Sequence, residues 1–138
     1  MPAMTQDEER VALTQTIMGV LDEWGLDAAD HVVAVVGLPD KMPKRNVRKF
    51  RDGVAFPDTP EVMEHLDHLV GIITSLRTTY PLNPQMGTHW MRRSNRLFGN
   101  RPPLQAMVED GLDGLVAVRS HLDCTYDWKL DDERSGKL

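Results

Sequence analysis

The sequence predicts an all-α protein, and three observations lead to that fold class. Apolar residues recur every three or four positions in several segments, which is the period of an amphipathic helix. Helix start signals precede two of those segments. In the first, Glu8 follows Thr5 at the spacing of a capping box, and in the later one Thr59-Pro60 supplies a cap followed by proline. The β-branched run Val32–Val36 has no visible partner strand, so we expect it to be helical as well.

The first half of the chain predicts four helices separated by glycine and proline turns. The first follows the Thr5 cap and stops at Gly25, and a short second one starts with Asp27 as its cap and stops at Gly37. The third opens at Pro43 or Lys44. We expect these helices at about 5–24, 27–36, 43–51 and 60–78. The buried stripe of the fourth is expected to comprise Val62, Leu66, Leu69, Val70, Ile73 and Leu76.

The step Tyr80-Pro81-Leu82 predicts a boundary between two domains, which we place at 1–80 and 81–138. Beyond it, proline starts predict helices at about 83–91 and 102–111, with a final helix at 112–122 whose inward residues include Val116. Residues 94–101 predict an ordered loop anchored by Leu97 and Phe98. A polar tail is expected from Asp123 to the end of the sequence.

Composition narrows the class of protein further. Of the 138 residues, 41% are hydrophobic, which is enough for a real interior, yet no apolar run reaches the roughly 20 residues that span a bilayer. The polar, acidic N-terminus lacks the pattern of a signal peptide. The single cysteine, Cys124, excludes an internal disulfide. We therefore expect a cytoplasmic protein with no membrane partner.

The third predicted helix is basic in a chain whose net charge is -5. Its layout of short helix, glycine turn, basic helix and then Phe50-Arg51-Asp52-Gly53 is typical of a helix-turn-helix. Its candidate DNA contacts are Lys44, Arg45, Asn46, Arg48 and Lys49. The alternatives are a solubilising charged face, or a fold kept for dimerisation, since the turn 37–45 is longer than a tight one.

The sequence contains no pattern that predicts catalysis. It has no glycine-rich phosphate loop, zinc motif or nucleophile elbow. His65 and His68 share a helix, but a metal site needs a third ligand, so a solvated helix face is the favoured interpretation. His89 and His121 are expected to pack or cap. We expect no catalytic residue, no metal and no cofactor.

The second half resembles the Xre/MbcA/ParS family of type II antitoxins in the order and spacing of its motifs. These are a Trp-bearing helix, a Ser-Asn step, a Leu-Phe-Gly loop, a proline helix start, a glycine break and a valine- and leucine-rich last helix. They stand here as His89-Trp90-Met91, Ser94–Asn100, Arg101–Leu104, Asp110-Gly111 and Gly114–Asp123. The longer turn at Pro39–Pro43, and Phe50 where a tryptophan is common, depart from the family.

The resemblance implies an Xre-like helix-turn-helix bundle followed by a small helical toxin-binding domain and a C-terminal tail. It implies a homodimer that binds a RES-domain toxin, an enzyme that consumes NAD or transfers ADP-ribose from it. The antitoxin's C-terminal segment would cover the toxin's active site, and operator DNA would be a second partner. A stand-alone repressor is the alternative function.

Acidic and aromatic tail residues fit such a role, because carboxylates pair with the arginines expected in an NAD pocket and aromatic residues anchor interfaces. Trp90 and Phe98 are expected in the domain core. A disordered polar tail is the alternative interpretation. The candidate toxin contacts are Asn95, Arg96, Asn100, Arg101, Arg119, Asp123, Tyr126, Asp127, Trp128 and Leu138.

Overall fold

The structure is a computed structural model that describes the backbone of residues 5–135 and the side chains of residues 5–124. Within that range the chain forms seven α-helices and one 3-10 helix, and its sole β-type pairing is an isolated bridge between Asn95 and Arg101. The predicted all-α fold is confirmed. The elements are α1 (Gln6–Glu23), α2 (Ala29–Val36), α3 (Lys44–Lys49), α4 (Pro60–Thr79), α5 (Pro84–Arg92), the 3-10 helix (Arg96–Phe98), α6 (Pro103–Asp110) and α7 (Leu112–Ser135).

Helix α1 begins with the predicted capping box. The Thr5 hydroxyl accepts from the backbone N–H of Glu8 at 3.1 Å, and the Glu8 carboxylate accepts from the N–H of Thr5 at 3.3 Å. Two of the N–H groups at this helix start therefore have side-chain partners. Gly25 follows the helix with φ of 83°, as the predicted C-terminal glycine requires.

The N-cap of helix α2 lies one residue later than predicted. Ala28 occupies the capping position and no side chain accepts from the first turn, so the prediction that Asp27 caps this helix is wrong. The helix ends as expected at Gly37, whose φ is 78°. A β-carbon there would lie 2.6 Å from Nδ1 of His65, so glycine is required both by the backbone and by the neighbouring ring.

The position of His65 against Gly37 shows that the prediction of a solvated histidine face on α4 is wrong for this residue. His65 is only 6% exposed, and its Nδ1 lies 2.8 Å from the carbonyl oxygen of Glu61, one turn earlier on the same helix. Burial of the imidazole is tolerated because this ring nitrogen has a hydrogen-bond partner. The α4 start itself is as predicted, since the Thr59 hydroxyl accepts from the N–H of Val62 at 3.2 Å.

The chain divides into two compact units, Met1–His65 and Leu66–Leu138, and the division falls inside α4. In the first unit the segment before α4 is fastened to α1. Thr14 is 1% exposed, donates to the carbonyl of Arg10 and accepts from the N–H of Phe56 at 2.9 Å. Phe56 packs edge-on against Phe50 with 5.0 Å between ring centroids. The fully buried core side chains here are Ile17, Met18, Leu21, Val32, Val35, Val36 and Val47.

The second unit buries the expected stripes of its helices with two exceptions. Val70 and Val116 were expected to point inward and are 41% and 40% exposed. Ile72, which the predicted stripe omits, is fully buried instead, because the stripe of a straight α-helix drifts relative to a seven-residue repeat. The other core residues include Leu69, Ile73, Leu76, Met91, Phe98, Leu104, Met107, Leu115, Val118 and Leu122.

Helix α7 is longer than expected. The sequence predicted its end at Leu122, where the apolar pattern stops, but the backbone stays helical through Ser135. No glycine or proline occurs between Asp123 and Ser135, so nothing in the backbone chemistry ends the helix before Gly136. The predicted tail therefore begins as a continuation of α7.

Helices α6 and α7 approach each other closely at Gly114. The two helices meet at Gly111, whose φ of 62° ends α6. A β-carbon on Gly114 would collide with the carbonyl oxygen of Ala106 and would lie 2.9 Å from the Cα of Met107. Backbone atoms cannot move aside as a side chain can, so the packing of these helices requires glycine at this position.

No helix in the described part of the chain is both long and apolar enough to cross a membrane.

We predict that Gly114→Ala lowers the free energy of unfolding by about 1–3 kcal/mol, because the added methyl group forces two helix backbones apart. Gly19→Ala is the matched control. Gly19 lies inside α1 with open space around it, so alanine there should raise stability by up to about 1 kcal/mol through helix propensity. Chemical denaturation followed by circular dichroism measures both. Equal midpoints for Gly114→Ala and the unsubstituted chain would contradict the close approach.

Candidate functional site

The segment 95–101 is a small closed loop between α5 and α6. The backbone N–H of Asn95 donates to the carbonyl of Arg101 at 3.1 Å, and the N–H groups of Phe98 and Asn100 both donate to the carbonyl of Asn95 at 3.1 Å. The side chain of Asn95 also accepts from the N–H of Leu97 at 3.0 Å. Four hydrogen bonds thus converge on Asn95, and the predicted ordered loop is confirmed.

The loop reverses direction at two successive left-handed residues. Gly99 has φ of 70° and Asn100 has φ of 61°. Asparagine is among the few residues with a side chain that adopt this region readily, which explains the Gly-Asn pair at the turn. The turn places Arg101 back beside Asn95 and so permits the bridge between them.

The side chain of Arg101 fastens the loop to the C-terminal end of α6. Its Nε donates to the carbonyl of Phe98 at 2.8 Å, and its terminal nitrogens reach Asp110 at 2.8 Å and Glu109 at 3.1 Å. The hydrogen bond to Asp110 first, and that to Glu109 second, raise the pKa of the Arg101 guanidinium. We call Arg101, Glu109 and Asp110 the arginine clamp.

The clamp also changes the two carboxyl groups. The hydrogen bond from Arg101 holds the pKa of Asp110 below its ordinary value. The pKa of Glu109 is lowered by hydrogen bonds from Gln105 first and from Arg101 second. Both carboxylates therefore stay ionised as partners of Arg101 at neutral pH. Arg101, predicted to contact a partner protein, is engaged within its own chain.

The base of the loop rests on an aromatic cluster. Phe98 is 5% exposed and packs edge-on to Trp90 and to His121, with centroid distances of 6.3 Å and 6.1 Å. The Trp90 and His121 rings are stacked at 5.6 Å with only 5° between their planes. The expected packing roles of Trp90, Phe98 and His121 are confirmed, although Trp90 is half-buried rather than fully enclosed.

The loop exposes one charged side chain, one apolar side chain and one amide side chain, those of Arg96, Leu97 and Asn100. Arg96 and Asn100, both candidate contacts, are exposed. Leu97 was expected to anchor the loop, but it is 65% exposed. The prediction for Leu97 is wrong because the 3-10 turn directs neighbouring side chains to different sides, and Phe98 takes the inward position. A sequence pattern over two apolar neighbours could not separate them.

Arg119, another candidate contact, is also engaged within the second unit. One terminal nitrogen lies 3.1 Å from a carboxylate oxygen of Asp67 and 3.3 Å from Nδ1 of His68. Asp123 pairs with Arg119 at 3.8 Å and accepts from the Ser75 hydroxyl at 2.8 Å. Both residues link α7 to α4. Gly71 makes room for the Arg119 guanidinium, since a β-carbon at Gly71 would collide with it.

The remaining predicted contacts in the tail lie outside the described side chains. Tyr126, Asp127 and Trp128 fall where only the helical backbone is described, and Leu138 lies beyond Ser135. Their assignment stays a prediction from the sequence.

The predicted DNA contacts lie together on α3 in the first unit. Lys44, Arg45, Arg48 and Lys49 are exposed and Asn46 is half-buried, while Val47 packs inward. Helix α3 has only six residues, which is shorter than the predicted span 43–51.

The surroundings of α3 carry mixed charge. The next basic residue, Arg51, is bound to the carboxylate of Asp22 at 2.5 Å, and this bond raises the pKa of Arg51. A cavity of about 250 Å³ separates α3 from the start of α2. Its charged lining residues are Asp27, Asp30, Lys44, Arg48 and Arg51. The acidic pair reduces the positive potential at this end of α3.

Among the described residues, no group of three His, Cys, Asp or Glu side chains is placed to hold a metal ion. Cys124 is exposed.

We predict that the arginine clamp contributes stability that is lost in acid. A carboxyl group with a lowered native pKa stabilises the fold above its ordinary pKa, here 3.8 for Asp110 and 4.5 for Glu109, and loses that effect as pH falls through the native value. Thermal melting at pH 7 and pH 3 measures this. Glu109→Gln/Asp110→Asn should lose less stability than the unsubstituted chain between these pH values. An equal loss in both proteins would show that the clamp is not formed.

The loop and its supporting helices coincide with a known protein-family domain. Residues 83–125, about a third of the chain, match the family described as the antitoxin Xre/MbcA/ParS C-terminal toxin-binding domain. The match begins at the α5 cap and ends within α7. No curated protein matches the chain.

Proposed function

We propose that this chain neutralises a RES-domain toxin by covering the toxin's active site, a role supported by the match of residues 83–125 to the antitoxin Xre/MbcA/ParS C-terminal toxin-binding domain. The domain match is the single observation that carries the proposal. The RES-domain identity of the partner rests on the sequence resemblance. The protein acts in this role as a binding partner and not as an enzyme, and we place it in the cytoplasm beside its toxin.

The organisation of the second unit supports a binding role. The loop 95–101 is fixed at both ends and from below by the arginine clamp and the aromatic cluster, while its outer side chains are exposed. A surface that is already ordered before binding loses less conformational entropy on association. Such a loop suits recognition of a folded partner.

The tail supplies the inhibitory element in this proposal. Helix α7 carries the backbone on from Cys124 to Ser135, and Asp127, Asp131, Asp132 and Glu133 lie in that stretch of sequence. Carboxylates there would pair with the basic residues that an NAD pocket needs for the pyrophosphate. Tyr126 and Trp128 would add apolar contact area.

DNA binding through α3 is a second candidate function, either as autorepression by the antitoxin or as the role of a stand-alone repressor. The exposed cationic side chains Lys44, Arg45, Arg48 and Lys49 favour it. A homodimer formed through the first unit would present two such helices to a palindromic operator. The short α3 and the nearby Asp27 and Asp30 lead us to expect modest affinity.

We predict that co-expression of this chain with the proposed partner, a RES-domain toxin, restores growth of a host that the toxin arrests, and that the two proteins co-purify. A truncated chain that ends at Cys124 keeps the Asp123 hydrogen bond to Ser75 and should melt at nearly the same temperature. It should bind the toxin yet fail to protect the host. Absence of any complex with the full chain would refute the antitoxin proposal. Equal protection by the truncated chain would refute the inhibitory role of the tail.

We predict that Arg45→Ala/Arg48→Ala weakens binding to the DNA upstream of the gene and flattens its dependence on salt, because two phosphate contacts are lost. Arg92→Ala/Arg93→Ala is the matched control, since it removes the same charge from the second unit. Fluorescence anisotropy between 50 and 200 mM salt (about the range over which such contacts weaken strongly) measures both. Identical binding by the two double variants would exclude α3 as the DNA-contacting element.

A further inference from the structure

The second unit concentrates positive charge beside the exposed leucine of the loop. No aspartate or glutamate occurs between Asp67 and Glu109, although the whole chain carries a net charge of -5. The same stretch contains five arginines, and three of them, Arg92, Arg93 and Arg96, fall within five residues at the end of α5 and the start of the loop. All three are exposed.

Leu97 directly follows Arg96 in the sequence. Its side chain is 65% exposed, while its backbone N–H is held by Asn95 and its neighbour Phe98 is buried. A single exposed leucine is common on protein surfaces. The hydrogen bonds of the loop fix the backbone at this leucine and do not involve its side chain.

We infer that Arg92, Arg93, Arg96 and Leu97 form the arginine–leucine surface, which docks on an acidic face of the toxin that contains an apolar recess. This inference rests on the proposed antitoxin function and names the contacts that bring the two proteins together. Leu97 enters the recess, and the arginines face carboxylates around it. Opposite charge on the two faces speeds encounter and disfavours other partners.

The surface and the acidic tail then serve different parts of the toxin. The tail carries carboxylates and faces the basic NAD pocket, whereas the arginine–leucine surface meets an acidic region outside that pocket. Two patches of opposite sign allow only one orientation of the antitoxin on the toxin, because any other places like charges together.

Arg101 and Asn95 act in this arrangement as positioning residues. The Arg101 guanidinium donates to Phe98, Glu109 and Asp110. The side-chain oxygen of Asn95 accepts from the backbone N–H of Leu97. Neither has the exposure of Arg96 or Leu97. They hold the loop in the binding conformation and so reduce the fraction of molecules that must rearrange before docking.

The test measures association and dissociation rates of the full chain on the immobilised RES-domain toxin by surface plasmon resonance. Leu97→Ala should weaken binding by about tenfold, mostly through faster dissociation. Leu82→Ala is the matched control, because Leu82 is 98% exposed and lies just before the matched domain. It should bind like the unsubstituted chain. Equal affinity of the two variants would overturn the role of Leu97.

Arg93→Gln/Arg96→Gln should slow association about three- to tenfold at low salt and lose most of that effect at high salt, as expected for charge steering. Arg77→Gln removes an exposed arginine of α4 from the same acid-free stretch and is the control. An unchanged association rate in the double variant would overturn the acidic docking face.

A double-mutant cycle separates positioning from contact at Arg101. If Arg101 acts through the clamp, Arg101→Ala and Glu109→Ala/Asp110→Ala each weaken binding by a similar factor, and the triple variant is no weaker than either. If Arg101 touches the toxin, removing its acceptors leaves binding intact, and that result would overturn the positioning role. Melting temperatures of all variants establish that each is folded.

These outcomes are distinct from failure of the proposed function. If the unsubstituted chain does not bind the toxin, the antitoxin proposal fails. If it binds and the variants bind equally well, only the arginine–leucine surface fails.

Discussion

The close approach of α6 and α7 at Gly114 is the constraint on which the second unit depends. Because the carbonyl of Ala106 occupies the space that a β-carbon would need, the two helices are fixed against each other near their common turn at Gly111. The end of α6 then carries Glu109 and Asp110, and α7 carries His121. These three residues hold the loop 95–101, the first two through Arg101 and the third through Phe98 and Trp90. A shift of α6 along α7 would move the two supports of the loop relative to each other.

The loop illustrates how a few polar contacts, together with one buried aromatic ring, can order a protein surface. Its backbone is closed by hydrogen bonds to Asn95, its guanidinium clamp is charge-assisted, and only Phe98 is buried. Exposed ion pairs contribute little to global stability individually. Their effect here is local, because they restrict one loop whose outer residues Arg96 and Leu97 remain accessible. Stability of the fold and readiness for binding therefore have separate physical sources in this unit.

Much of the fold was predictable from local chemistry. The capping box at Thr5, the proline start at Pro60 and the glycine ends at Gly25, Gly37 and Gly111 all lie where the sequence placed them, since these signals act within a few residues.

The predictions that failed depend on tertiary neighbours or on helix continuation. His65 is buried against Gly37, Val70 and Val116 face outward, and α7 passes Leu122 without a stop. At the site, the intrachain partners of Arg101 and Arg119, which are Asp110 and Asp67, could not be identified from the sequence because they come together only when the helices pack. The position of Leu97 could not be separated from that of Phe98 without the turn geometry.

Hydrogen–deuterium exchange of the full chain, with and without the RES-domain toxin that we propose as its partner, is the most direct test of the toxin-binding role. Amides that are covered at an interface exchange more slowly in the complex. We predict slower exchange in peptides that span residues 92–101 and in those from 125 to 135, with peptides from α1 to α3 unchanged by the toxin. Slower exchange confined to residues 5–65 would contradict it, because the toxin would then bind the unit that carries the basic helix.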